Sequence, residues 1–470
     1  MAFFRKKDTK QNKGNATFSR SSSDRDLTKG SIPRNLWHLS WPQIAESFFS
    51  VVDQLADLFW AGRVGYKAIA GMGVSQTFLL MLMTARMGLD ASMRAMISRA
   101  IGAGDVSHAN HVLAQSIVLT LMWSLLIGIP GIIFTDTLLG LVGVSEEVVD
   151  ITSGYMKLQF VAMSLMSFQR LTGGALQAAG DSITPLKAAT VSRVGHLILS
   201  PFLIFGWLGF PDMGLAGAGM ANVIAQFAGT IINFYVLFRG SSLLKLSFNN
   251  YRNDYPLMWR ILRIGTPAAL TGMQRSTSQL LLLLVVASFG DVPAAAFALS
   301  RRAENVVNHA SRGLGRAGGA LAGQNLGAGH VERAKSSMSW SIVYSAIMSV
   351  IAIVFFVSMP RGIAEIFSDS PEFIDQASKW IFILAFATFP MSSVQVFTQG
   401  IANTGATFAP MIITVITMWF IEIPLAMLLA YFTPLGAEGV PWGIVIGNLL
   451  RALIFFLYFM RGSWLKTGMI

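Results

Sequence analysis

Long apolar runs, each ended by a short polar or glycine- and proline-rich stretch, fill the chain from residue 36 onward. Apolar and polar positions do not alternate, which argues against the strands of a membrane barrel. Runs of about 20 residues instead suit helices that cross a bilayer. Twelve spans can be placed, six starting near Leu36, Ala68, Val112, Thr152, Thr184 and Gly214, and six near Leu257, Ala294, Ala334, Phe373, Phe408 and Gly436. The pattern predicts an all-α polytopic membrane protein.

Composition sharpens this. Only 13% of the 470 residues are charged and 53% are hydrophobic, whereas a soluble domain carries roughly 25% charge; a water-soluble enzyme of ordinary design is excluded. The net charge of +11 would point to nucleic acid in a soluble protein. Here no nucleic-acid-reading motif accompanies it, and cytoplasmic loops of membrane proteins collect Lys and Arg. The absence of cysteine removes disulfides, thiolate catalysis and Cys-ligated metal sites. Residues 1–35 read as a disordered basic tail, cytosolic and drawn to anionic lipid, without the pattern of a cleavable signal peptide.

With that tail inside, the even-numbered connections carry Arg99, Lys187, Arg239, Lys245, Arg252, Arg260, Arg263, Arg333 and Lys335. The odd ones are acidic at Glu146, Glu147, Asp150, Glu365, Asp369, Glu372 and Asp375. The bias predicts a plasma-membrane protein with both termini cytoplasmic.

An internal repeat at a spacing of 225 residues pairs Pro42 with Pro267, Gly65 with Gly290, Gly88 with Gly313, Gly102-Ala103-Gly104 with Gly327-Ala328-Gly329, Gly180 with Gly405 and Pro185 with Pro410. Farther on the register slips by about three, where Gly214 and Gly217 fit Gly436 and Gly439. Each half holds an even number of spans. Two pseudo-symmetric six-helix lobes related by an axis along the membrane normal follow, as in secondary transporters. The lobes are assigned to 36–240 and 257–462, with a cytoplasmic linker at 241–256 and a cytosolic tail at 463–470. Gly102–Gly104 and Gly327–Gly329 read as tight cytoplasmic turns. Gly313-Leu-Gly-Arg-Ala-Gly318 matches a dinucleotide fingerprint, but no strand precedes it, and small residues for close helix packing explain it better.

Several segments in order resemble the multidrug and toxic-compound extrusion (MATE) family: Leu55-Ala-Asp57-Leu-Phe-Trp-Ala-Gly62-Arg-Val-Gly65, Ala100-Ile-Gly102-Ala-Gly104-Asp105, Ala175-Leu-Gln177 through Pro185, and Gly214-Leu-Ala-Gly217-Ala-Gly219-Met-Ala-Asn222. The resemblance implies a V-shaped exporter, not an enzyme, that exchanges protons or sodium ions for organic, usually cationic, substrates. It also implies that Asp57 matches the family's N-lobe ion-site carboxylate.

Glu46, Ser50, Asp53 and Asp57 form one stripe on span 1. Asp57 stands about 22 residues in, roughly 30 Å of helical rise, so a solvated outer end is the alternative to an ion site. Where family members carry an Asn and an Asp-Pro in span 5, this chain has His196 and Ser200-Pro201; the family's span-6 Thr is Asn222. The ion-coupling set is therefore Asp57, His196, Ser200 and Asn222. A protonatable Asp57–His196 pair suits protons better than sodium, with His196 tuning Asp57. Further candidates to line the cavity are Glu46, Asp53, Gln54, Gln274, Arg275, Gln279, Arg301, Glu304, Asn308 and Glu422. Arg301 and Glu304 form an internal pair at i, i+3. Glu422 has no partner near it in sequence and leans to a functional role.

The combined reading is a proton-driven antiporter of amphipathic organic cations working by alternating access. It takes a small-molecule substrate, a coupling cation (H+, less readily Na+) and the bilayer as partners, with no cofactor and no nucleic acid, as a monomer. The rival is export of an organic anion or a lipid-linked glycan on the same fold, prompted by Arg275, Arg301 and Arg302.

Overall fold

The computed structural model describes residues 26–142, 145–249 and 251–466. The first half contains α1 (Ile32–Val64), α2 (Tyr66–Gly102), α3 (Val106–Ile133), the short α4 (Thr135–Leu141), α5 (Glu146–Ala179), α6 (Ile183–Phe205) and α7 (Leu215–Arg239). The second half repeats the order as α8 (Tyr255–Ala287), α9 (Asp291–Gly327), α10 (Val331–Ser358), the short α11 (Pro360–Glu365), α12 (Pro371–Ala402), α13 (Phe408–Thr417), α14 (Ile423–Phe432) and α15 (Gly439–Arg461). A π turn at Met418–Glu422 joins α13 to α14 in a single span. With α4 and α11 set aside, twelve spans remain in two six-helix lobes.

Eight spans are long and apolar enough to cross a membrane by composition alone. The others are α1, α5, α8 and α9, which share polar and charged residues within the span. They carry Glu46, Asp53 and Asp57; Lys157 and Arg170; Arg275; and Arg301, Arg302, Glu304, Arg312 and Arg316. Charge inside a span is tolerated where it faces protein or water and not lipid. These helices therefore mark the inside of the molecule.

The repeat is visible in the backbone. Gly65 and Gly290 have φ of 148° and 118°, Gly104 and Gly329 both 79°, Gly180 and Gly405 108° and 97°, and Gly214 and Gly436 both 54°. Turn chemistry is thus duplicated along with sequence, and the last pair reproduces the slip of three. At Gly104 and Gly329 the left-handed conformation excludes a Cβ for steric reasons, as expected of tight inter-helix turns.

We call the side on which α1 begins the near face. There the lobes close on one another reciprocally. A Cβ on Gly102 would collide with the backbone of Gln324, and one on Gly327 with the backbone of Arg99. Position 324 is the repeat equivalent of 99, so the contact has the self-complementary form of a two-fold interface. Gly88 packs backbone to backbone on Gly265, while Gly313 packs on the side chain of Gln43 and Gly323 on that of Ser98. Gly315 and Gly318, also of the fingerprint-like run, lie inside α9 against Val396 and Ser341, which makes that run a packing surface.

One expectation about the connections changes, since the stretch 1–35 read as a tail overlaps the first helix. α1 begins at Ile32, and Leu27 is fully buried in a cluster with Leu36, Leu39, Ala317 and Leu321, because α9 leaves an apolar slot beside α1. Residues 1–25 of the tail, Asn250 and residues 467–470 lie outside the described residues. The linker is strapped to the first lobe. Leu244 and Leu246 enter its core, Gln115 donates to the carbonyl of Arg252 at 2.8 Å, and the hydroxyl of Tyr251 donates to Gln115 at 2.9 Å.

Candidate functional site

α1 and α6 pack side by side, and their facing charges form a chain. His196 Nδ1 lies 2.7 Å from one oxygen of Asp53, and Arg193 donates to the other at 2.7 Å. The opposite imidazole nitrogen, Nε2, lies 3.5 Å from Asp57 and 3.3 Å from the carbonyl of Ala218. One imidazole thus bridges two carboxylates seen separately in the sequence. The two differ in access: the side chain of Asp53 is 5% exposed and that of Asp57 14%. Asp53 is held by two cationic-type donors, while among the described residues Asp57 keeps a single long contact, to His196. Asp57 is therefore not on a solvated helix end.

Ser200 and Asn222 do not converge on this chain. Ser200 donates back to the carbonyl of His196 at 2.7 Å, and Asn222 donates to Gln159 at 2.8 Å. Arg193 escaped the sequence reading. Its signal was present, since it lies one turn before His196 inside the same span.

In the second lobe Arg301 donates to Glu304 at 2.5 Å, as expected of that pair. Asn308 donates to the sulfur of Met391 at 3.6 Å, and Arg275 to Gln395 at 2.9 Å. Gln274 and Gln279 are half-buried and Gln54 is exposed. Half-buried Glu46 has Arg94 and Arg170 among the charges it acts on.

Glu422 requires a correction. It is not isolated. Its carboxylate accepts from Arg451 at 2.5 Å, and Arg451 also donates to Thr417 at 2.7 Å and Asn448 at 3.3 Å. Both side chains are almost fully buried, at 5% and 3%. The π turn ends at Glu422, whose carboxylate is directed at α15. The partner lies 29 residues on, in another helix, which is why no local pattern announced it.

Known proteins agree with this architecture. The MatE family model matches residues 42–202 and matches again at 267–428, so the second match starts one repeat after the first. The chain belongs to the MATE family. A probable multidrug resistance protein, YoeA of Bacillus subtilis, is 24% identical over 92% of this chain and 94% of its own length. A protein named FAD transporter from Shewanella oneidensis is 24% identical over 91% of this chain and 94% of its own length. A solved multidrug resistance MATE transporter in an outward-facing conformation superposes with a TM-score of 0.89 at 21% identity, covering 96% of this chain and all of that one. As a MATE protein the chain is a multi-pass membrane transporter and not an enzyme, and it moves small molecules with the help of a coupling ion.

Proposed function

We propose that this MATE protein exports amphipathic organic compounds across the plasma membrane in exchange for protons, by alternating access between lobes divided at the 241–256 linker. The basic even-numbered connections support assigning the near face, and both termini, to the cytoplasm. On that assignment the reciprocal glycine seal closes the cytoplasmic side.

One observation carries the choice of ion: a single imidazole stands between Asp53 and Asp57, and Asp57 is the more exposed of the two. Arg193 and His196 fix Asp53 as a carboxylate. Asp57 is then free to take a proton from the outer side, with His196 able to pass or share it through Nε2. Sodium would need several converging oxygens, and the hydroxyl of Ser200 and the amide of Asn222 are turned to other partners. Loading Asp57 removes its attraction for His196 and loosens α1 against α6. That movement offers a route from protonation to lobe rearrangement.

The decisive variant is Asp57→Asn, which mimics the protonated state permanently. In proteoliposomes it should lower proton-driven flux at least tenfold between pH 5.5 and 8 while leaving sodium-gradient controls and folded yield unchanged. Wild-type flux in that variant would remove Asp57 from the mechanism. The family resemblance implies cationic cargo.

A further inference from the structure

We propose that the groove between α5 and α7, on the outside of the first lobe, binds one anionic phospholipid, with an acyl chain in the groove and the phosphate on Arg239 and Lys245. The site is separate from the Asp53–His196–Asp57 chain and does not depend on the cargo.

One helix face builds the groove. Phe227, Ile231, Phe234 and Phe238 recur on α7 at i, i+4, i+7 and i+11. With Tyr235, and with Phe168 of α5 opposite, they line a cavity of about 470 Å³, a size at which proteins hold small ligands. Phe227, Ile231, Tyr235 and Phe238 are exposed, and α7 carries no charged residue before Arg239, unlike the inner helices. This face therefore meets lipid and not the cleft. From Phe227 to Phe238 the helix rises roughly 16 Å, about half of a hydrocarbon core roughly 30 Å thick. The groove matches one leaflet, and it ends where α7 reaches the near face.

Positive charge stands at that end. Arg239 donates to the hydroxyl of Tyr235 at 2.6 Å, and its guanidinium lies 5.7 Å from the centre of the same ring. Tyr235 also lines the groove, so one side chain joins the apolar wall to the cation. Lys245 supplies a second charge. Its stem crosses Gly240, the residue after Arg239, where a Cβ would lie 3.1 Å from the Lys245 Cδ. The side chain of Asn110 accepts the backbone N–H of Lys245 at 2.9 Å and fixes this turn over the helix end. Both cations are exposed, and among the described residues neither has a carboxylate within 4.0 Å. A guanidinium that bonds one neutral hydroxyl keeps donors for a phosphate.

The repeat provides a contrast. In its slipped register Phe227, Ile231, Tyr235 and Phe238 match Leu449, Leu453, Leu457 and Met460, while Arg239 matches Arg461. Arg461 thus ends an equivalent helix without the tyrosine that ties Arg239 to a groove. A cation at the end of a span is common to both lobes; the aromatic groove beside it belongs to the first.

The test is photolabelling of the purified full chain in detergent by phosphatidylglycerol or phosphatidylcholine carrying a photoreactive acyl chain, with labelled peptides mapped by mass spectrometry. Label on residues 227–238 should favour phosphatidylglycerol by at least about fivefold, less so as salt rises. Arg239→Gln should reduce that preference below about twofold, and Lys245→Gln should also reduce it. Ile231→Trp, which fills the groove, should lower labelling by both lipids. Arg461→Gln should change nothing at 227–238. The substituted side chains at 239, 245 and 231 are not in the core, so folded protein is expected from each variant. Equal labelling by the two lipids, a wild-type preference in Arg239→Gln, undiminished labelling in Ile231→Trp or an equal loss in Arg461→Gln would overturn the proposal. Displacement of the label by free glycerol 3-phosphate or by ethidium would also overturn it, by making the groove a site for a soluble ligand.

Discussion

Glu422 and Arg451 show how a residue takes its meaning from its partner. A buried pair of this kind gives little net stability, but breaking one side leaves a charge without water or counter-ion. Glu422→Gln should therefore lower the stability of the purified protein by about 3 kcal/mol. The double variant Glu422→Leu with Arg451→Met should recover most of the loss, as read by thermal unfolding in detergent. A stable Glu422→Gln protein that had lost proton-driven flux would return Glu422 to the coupling machinery. In the N-lobe, Asp53→Asn removes the counter-charge of Arg193, so reduced folded yield is expected there, in contrast to the intact fold expected of Asp57→Asn. Counting folded protein by gel filtration separates the two carboxylates.

At the scale of elements, the helix ends Gly102–Gly104 and Gly327–Gly329 combine two requirements. Gly104 and Gly329 need φ of 79°, while Gly102 and Gly327 need the absence of a side chain against the other lobe. Gly104→Val should cost about 1–2 kcal/mol through the left-handed conformation and lower yield, with the transport pH profile of surviving protein unchanged. Gly102→Val should act differently. It wedges the seal, so near-face accessibility to a thiol reagent at a reporter cysteine should rise even where yield is normal. An unchanged accessibility would mean that the seal re-forms around the valine. The linker adds a pH-dependent element outside the membrane. Asp254 caps α8 through the N–H of Leu257 and bonds His111 at 3.0 Å, and these bonds hold its carboxyl below the usual carboxylate range. Its contribution is present above the ordinary carboxylate pKa and disappears as pH falls through the lowered value. Proteolysis of the linker should therefore increase only in that acidic window, and Asp254→Asn should show the increase at neutral pH.

For the molecule as a whole, the absence of cysteine makes the seal directly testable. A Cβ at position 323 would lie 3.0 Å from the Cβ of Ser98. The pair Ser98→Cys and Gly323→Cys should oxidise to a disulfide, lock the lobes closed on the near face and stop transport, and a reductant should restore it. Full flux by the oxidised protein would mean that the near face need not open. The lock spans the lobes at a point where the repeat brings equivalent helices together, so its effect reports on alternation and not on either lobe alone.

The sequence by itself determined the spans, the repeat with its slip of three, the glycine turns and the family. All of these depend on apolar length or on residues close in the chain, and local chemistry fixes them. It also singled out Asp57 and His196, since a charge inside an apolar run is visible without a structure. Tertiary structure decided what each charge does. Asp53 became the fixed arm of the chain because Arg193 and His196 arrive from α6, 140 and 143 residues away. Glu422 lost its solitary status to Arg451 on α15, and buried Leu27 shortened the tail. Electrostatic partners within a few ångströms can lie anywhere along a chain, so composition counts the charges while only the fold pairs them.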